Sequence, residues 1–390
     1  MGIFSNRKNK NKLIAIFDIG SGSVGGALVS LSQEKNPTIL GQVRTDMRYE
    51  NDLDFDKFST AMNSALYDTA HKLMMLKLGR PEKIYCFLGS PWYVSLTRTM
   101  HVEEQGRFMT SKKMIDKLLQ SELKDVIAQY EKKYEKQDTP KLIENVVLES
   151  LINGYKVNDI FDKKAKTLDM IVYLSMSPEN VLSSIKDKIK KVYPHTDVHF
   201  GSFMMSFYNS IRLKYPKLDS YLLIDVNAEI TDVGMVHDGI LTSFFSFPIG
   251  RNYIMKRIMK AKNISKEQAE SIFKLYVSGS LEEDKKNDME KVLGEVESSW
   301  KNIFYSSIVD ISKISGYTDI VHIVSHEDTS LYFSNILKNP NVPLKILGDR
   351  KFSVFIMEKN DLKKLCNVAS GTCDQFLMSE ALCLAHVYKL

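Results

Sequence analysis

Two segments on either side of the middle of the chain share one pattern. Ile14-Ala-Ile-Phe-Asp18-Ile-Gly20-Ser21-Gly22-Ser23-Val24 runs as an apolar strand to an aspartate, turns through small residues and returns as a second strand. Leu222-Leu-Ile-Asp225-Val-Asn227-Ala228-Glu229-Ile-Thr231-Asp232 does the same. Alone, either reads as an ordinary hairpin with a turn aspartate. Two in this order suit a two-lobed phosphate clamp. Each turn can offer backbone N–H groups to phosphate oxygens, while strand-end aspartates orient Mg²⁺ through its waters. Asp18 and Asp225 are therefore the candidate metal residues. Gly20, Ser21, Gly22 and Ser23, with Asn227, Ala228, Glu229 and Thr231, are the candidate phosphate-binding residues, the glycines allowing close backbone approach.

The rest of the chain is organised around these hairpins. Its 390 residues exceed the ~150 of a usual domain by two- to threefold, so at least two cores are expected. Apolar residues at 44% and charged residues at 26% exclude disorder as the dominant state. The formal charge is +5, and Arg7, Lys8, Lys10 and Lys12 supply four of those charges. The nearly neutral remainder argues against a nucleic-acid partner. Cys86, Cys366, Cys373 and Cys383 are too scattered for a disulfide framework or a zinc site and fit a reducing cytoplasm. The apolar run at 13–17 is too short for a secretory signal, and no run approaches the ~18 apolar residues of a membrane span. Met1-Gly2 lacks the Ser or Thr of a myristoylation signal at position six, where Asn6 stands. A cytoplasmic protein whose membrane contact is indirect is expected.

Strand and helix patterns alternate, the mark of α/β architecture. Strands at 13–17, 24–31 and 38–44 form a meander. A helix at 55–78 follows the cap residue Asp54, and a strand follows at 83–88. Residues 88–195 read as a small inserted α+β unit with a return to the first lobe. Trp92 and Tyr93 at its start are either a peptide-recognition platform or a packed junction. The expected division is 1–87 for the first lobe, 88–195 for the insert, 196–250 for the second lobe and 251–318 for a helical subdomain. Residues 319–390 complete the second lobe, with a helix at 374–390 packed on it. A charged interruption is expected within the helical subdomain at 282–288.

These residues resemble the actin-like ATPase superfamily, and within it the branch of the division protein FtsA and the pilus-assembly protein PilM. Asp18-Ile-Gly-Ser-Gly-Ser-Val is similar to the family's first phosphate motif, and Asp225-Val-Asn-Ala-Glu-Ile-Thr-Asp to its second. Phe247-Pro-Ile-Gly250-Arg-Asn, the helix with Ser265-Lys-Glu-Gln-Ala-Glu270 and the Met-Gly-Ile-Phe start also resemble this branch. The resemblance implies a two-lobed, duplicated ribonuclease H-like fold with an SHS2-like inserted domain, binding ATP and Mg. It implies an adenosine loop at 323–328 that includes Ser325 and His326. It also implies a cytoplasmic scaffold recruited to the inner face of the cell membrane by a peptide of a pilus inner-membrane protein or the tail of a division protein, with self-association open. Three departures bear on activity. Asn227 stands where the family has Gly, residues 323–328 contain no Gly, so that Ser325 and His326 would crowd the adenine slot, and Phe200-Gly201-Ser202 lacks an acid to orient water. At most a slow ATPase is implied, since phosphoryl transfer rests on positioning and electrostatics. The rivals are an active, filament-forming ATPase, a sugar kinase of the same superfamily and a nucleotide-free adaptor.

Overall fold

The computed structural model describes residues 11–32, 35–48, 54–133, 139–338, 351–371 and 373–390. The Met-Gly-Ile-Phe start, Arg7, Lys8 and Lys10 lie outside them. The first lobe opens with β1 (Lys12–Ile19), β2 (Ser23–Ser32), β3 (Lys35–Asp46), α1 (Phe55–Met75) and β4 (Lys83–Leu88). The insert comprises β5 (Val94–Met109), α2 (Lys112–Lys133), β6 (Pro140–Ile152), β7 (Tyr155–Lys156) and β8 (Lys164–Pro178). Then come α3 (Glu179–Val192), β9 (Asp197–Ser202), α4 (Phe203–Lys214), β10 (Tyr221–Val226), β11 (Thr231–His237) and β12 (Ile240–Phe247). The helices α5 (Arg251–Lys262), α6 (Lys266–Val277) and α7 (Glu283–Ser315) follow. The remaining elements are β13 (Ile320–Ser325), α8 (Glu327–Lys338), β14 (Ser353–Ile356), α9 (Lys359–Leu362), β15 (Asn367–Val368) and α10 (Gln375–His386).

The two hairpins seed two sheets of the same design. One runs β15-β3-β2-β1-β4-β9 and the other β12-β11-β10-β13-β14. In each, an antiparallel meander is continued by two strands parallel to its first strand. Asp18 pairs with Gly25 and Asp225 with Asp232, each one residue before its strand ends, so the aspartates hold equivalent places. β1 and β10 read as apolar runs because each is a central strand buried on both faces. The third sheet, β5-β8-β6-β7, is antiparallel and carries the insert's own core around Met100, Ile115, Leu168 and Met170.

Local chemistry sets several boundaries. Asp54 caps α1 by accepting from the Lys57 N–H, and Ser265 and Gln268 form a capping box on α6. α1 stops at Met75 instead of running to 78, because Lys77 and Gly79 take positive φ. The charged segment expected to interrupt the helices is instead the first turn of α7. Glu283 and Asp284 there favour the positive end of the helix dipole, and the break falls at 278–282.

Two expected boundaries are corrected. β9, assigned above to the second lobe with 196–250, pairs with β4 at the edge of the first sheet. The segment expected to complete the second lobe also returns to the first: β15 pairs with β3, and α10 packs on β1, β2, β3 and α4. Leu377, Ala381, Leu382 and Leu384 of α10 belong to the first lobe's core. The second lobe's core is shared with the helical subdomain through Ile254, Phe273, Trp300 and Phe304.

Candidate functional site

The two hairpin turns lie directly against each other. The Asn227 side-chain carbonyl accepts from the Ser21 N–H at 3.4 Å and the Ser21 hydroxyl at 3.3 Å. The same hydroxyl accepts from the Glu229 N–H at 3.0 Å. Gly22 is required by this contact, because a Cβ there would lie 2.5 Å from the Ala228 Cβ. Trp92, fully buried and stacked on Phe58 at 4.8 Å, donates to the Gly20 carbonyl at 2.8 Å. Of the two readings for Trp92, the packed junction holds.

Below the turns lies a row of carboxyl groups with one cation. Across the first sheet, Asp18, Gly25 and Arg44 are successive cross-strand partners. Arg44 lies over the bare Gly25, where a Cβ would be 2.5 Å from Nη2, and its Nη2 reaches Asp18 at 2.7 Å. Its Nε donates to Asp374 at 2.9 Å and its Nη1 to the Ser23 hydroxyl at 2.9 Å. Burial raises the Asp18 pKa despite the opposing pull of Arg44. Glu380 on α10, with no solvent exposure, is pushed far above the usual carboxylate range by burial and by Asp18 and Asp374. In the second lobe, Asp225 Oδ1 is buried without a hydrogen-bond partner. Burial, then Asp232 and Asp18, push its pKa well up. Asp232 accepts from Ser90 at 2.7 Å and from Ser246.

This arrangement does not fit a magnesium site on Asp18. The carboxylate expected to face metal-bound waters faces a guanidinium. Two other expected residues serve the fold. Thr231 donates to the Ile249 carbonyl at 2.6 Å and accepts from Trp300 Nε1 at 3.2 Å. Ser325 is buried and donates to the Val226 carbonyl at 2.6 Å.

Beside the locked turns opens a cavity of about 690 Å³, within the usual size range of small-molecule sites. Ser21, Gly22, Ala228, Glu229 and His326 line it, so five of the expected residues meet there. Arg251, Lys266, Glu270, Lys274 and Asp328 complete much of the wall. Arg251 binds Asp328 at 2.9 Å and Glu270 at 2.8 Å, joining the helical subdomain to the start of α8. His326 is held below its usual pKa by the cleft walls and by Arg44 and Arg251. The cavity thus presents backbone and hydroxyl groups at one end and cations interleaved with carboxylates at the other, a surface for a polar ligand.

The position expected to hold a water-orienting acid is closed. A Cβ on Gly201 would meet the Tyr388 hydroxyl at 2.4 Å. Glu144 of the insert lies beside it, but its carboxylate is engaged by the Ser202 hydroxyl at 2.6 Å, the Ser175 hydroxyl at 3.2 Å and the Tyr388 hydroxyl. Sequence reasoning missed Arg44, Asp374, Glu380 and Glu144. Arg44 did leave a signal: a cation within a strand of the first meander, with Gly25 in the strand beside it.

Neither protein-family models nor curated proteins match the chain. Among solved structures, a PilM–PilN type IV pilus biogenesis complex superposes with a TM-score of 0.64 at 10% identity, over 96% of this chain and 98% of that one. The chain has the actin-like ATPase fold. A Bacteroides thetaiotaomicron protein with an actin-like ATPase fold gives a TM-score of 0.45 at 10% identity, covering 98% of this chain and 100% of that one. The ethanolamine utilization protein EutJ from Carboxydothermus hydrogenoformans gives 0.42 at 10% identity, covering 96% and 88%. In this actin-like fold the duplicated sheets set Asp18 and Asp225 as counterparts and the insert between β4 and α3.

Proposed function

We propose that this chain is a scaffold of a membrane-associated assembly, of the pilus-assembly or cell-division kind. It works in the cytoplasm, is recruited to the inner face of the membrane through a protein partner, and holds ATP in the interlobe cavity without appreciable turnover. The observation that carries the reading is the direct fastening of Ser21 to Asn227 and Glu229. An enzyme that opens and closes around each substrate has to break such contacts in every cycle. A scaffold gains from keeping its lobes in one relation. The sealed environment of Gly201 and Glu144 supports the absence of brisk hydrolysis. The full-length superposition on a pilus biogenesis complex is consistent with a partner peptide from a membrane protein.

A second reading, the nucleotide-free adaptor, is favoured by the contact between Gly22 and Ala228, which leaves little space between the turns for phosphate oxygens. Equilibrium titration with labelled ATP, alongside a phosphate-release assay, separates the two. Saturable binding with negligible release supports the scaffold holding ATP. No binding at millimolar ATP establishes the adaptor, and rapid release defeats both.

A further inference from the structure

The contact between Arg44 and Asp18 is built into the strands, since it needs three consecutive cross-strand positions to hold a carboxylate, a residue without a side chain, and a cation long enough to cross it. Asp18, Gly25 and Arg44 meet that requirement. A side chain at position 25 would displace the guanidinium. All three guanidinium nitrogens are engaged, with Nη2 on Asp18 and Asp374, Nε on Asp374 and Nη1 on Ser23. The Phe376 ring lies 5.6 Å from its centre. Planar, multiply bonded guanidinium groups hold such positions with little loss of freedom on ligand binding. The Arg44 side chain does not line the cavity, but its charge acts on His326, which does, and helps lower its pKa.

We propose that Arg44 is the resident cation of Asp18, standing on that carboxylate in place of a divalent metal, so that a phosphate-bearing ligand in the adjoining cleft is taken without magnesium at Asp18. The ligand half of this statement rests on the function proposed above; the metal half stands on the geometry alone. Glu380 does not restore a metal site. Its carboxyl lies in a fully buried position, where burial and the charges of Asp18 and Asp374 oppose its ionisation. A metal ion at Asp18 would have to displace Arg44 from two carboxylates and leave its charge beside the dication, an arrangement opposed by direct repulsion.

The test uses Mn²⁺ as a paramagnetic stand-in for magnesium, read by electron paramagnetic resonance on the purified chain. Wild type should show no stoichiometric bound Mn²⁺ at concentrations that saturate Arg44→Gln with one ion. Adding Asp18→Asn to Arg44→Gln should abolish that ion. Wild type binding one Mn²⁺ that Asp18→Asn removes would overturn the proposal, as would a folded Arg44→Gln that gains none. If Arg44→Gln fails to fold, Arg44→Gln combined with Asp374→Asn removes one of the unpaired carboxylates and is measured instead. In a second arm, ATP is titrated with excess chelator. The wild-type Kd should change by less than about twofold, and that of Arg44→Gln should weaken at least tenfold and recover with Mg²⁺. A tenfold loss in wild type overturns the proposal. If wild type binds no ATP with or without Mg²⁺, the nucleotide reading falls and the Mn²⁺ arm alone decides the role of Arg44.

Discussion

The Glu144 carboxylate in the inserted domain accepts a hydrogen bond from the hydroxyl of Tyr388, a residue 244 positions away. The same carboxylate accepts from the Ser202 N–H at 3.2 Å and its hydroxyl at 2.6 Å, at the end of β9. One buried side chain therefore fastens the insert to two distant parts of the first lobe. Tyr173 extends the joint, its hydroxyl 2.8 Å from that of Ser202.

Removing Glu144 should be costly. Glu144→Ala leaves the Ser202 N–H and the Tyr388 hydroxyl buried without their acceptor, and each such group costs about 1–3 kcal/mol. A loss of ~3 kcal/mol in urea unfolding is expected. Glu144→Gln keeps one acceptor oxygen and the volume, and should cost less than half as much. Equal losses for both variants would show that the carboxylate is not the joint.

The buried carboxyl groups set the pH dependence of stability. Asp18, Asp225, Asp232, Glu144 and Glu380 all have pKa values raised in the fold, burial being the first cause for each. A group whose folded pKa exceeds its unfolded value contributes stability fully below the unfolded pKa, about 4 for a carboxyl, and loses it as pH rises through the folded value. Asp225 and Glu380, raised well above the usual carboxylate range, extend that decline to the highest pH of the five. Unfolding free energy measured by urea should therefore fall with rising pH above about pH 6.5, where the depressed His199, His322 and His326 no longer oppose the carboxyl groups. Asp225→Asn should flatten part of the slope. A profile that rises over this range would refute the assignment.

Asn227 should act as a clasp. Asn227→Ala removes the acceptor of both Ser21 hydrogen bonds, a net loss of about 0.5–1.5 kcal/mol for an ordinary hydrogen bond. Hydrogen exchange at the amides of Ser21, Ala228 and Glu229 should accelerate roughly threefold to tenfold, matching that energy. ATP affinity should rise by a similar factor, because the turns become free to part. Faster exchange without tighter binding would mean that the clasp does not gate the cavity.

Trp92 couples the start of the insert to the first turn. Phe58 stacks on its ring, and its indole N–H holds the Gly20 carbonyl. Trp92→Ala should cost about 3–5 kcal/mol through the cavity it leaves, and Trp92→Phe less. Native emission should lie to the blue of free tryptophan, since both Trp92 and Trp300 are fully buried. A red emission from the folded protein would contradict that burial.

The duplicated hairpins were legible because their signal is local: apolar runs, an aspartate, small turn residues and a returning strand. The caps at Asp54 and Ser265 were legible for the same reason. The assignment of β9, β15 and α10 was not. β9 reaches β4 only after the whole insert has intervened, and nothing within 197–202 marks which parallel neighbour it will take. Glu380 and Glu144 carried no such sign, since Ser379 precedes the one and Asn145 follows the other, and without the fold nothing indicates what either one faces. Of the expected site, five residues line the cavity, Asp18 and Asp225 lie buried below it, and Thr231 and Ser325 brace the walls. A hydroxyl in a motif does not disclose whether it points to ligand or backbone.

The return of β15 and α10 to the first lobe has a bearing on how the chain is made. Synthesis proceeds from the amino end, and domains generally fold as they emerge. Here the half that emerges first lacks an edge strand and a core helix encoded at 367–386, whereas the second sheet and its helices are complete by residue 356. The sheet translated later is thus complete in its strands first, while the apolar surface that α10 covers, to which Leu223 and Val324 of that sheet also belong, stays open until the helix is made.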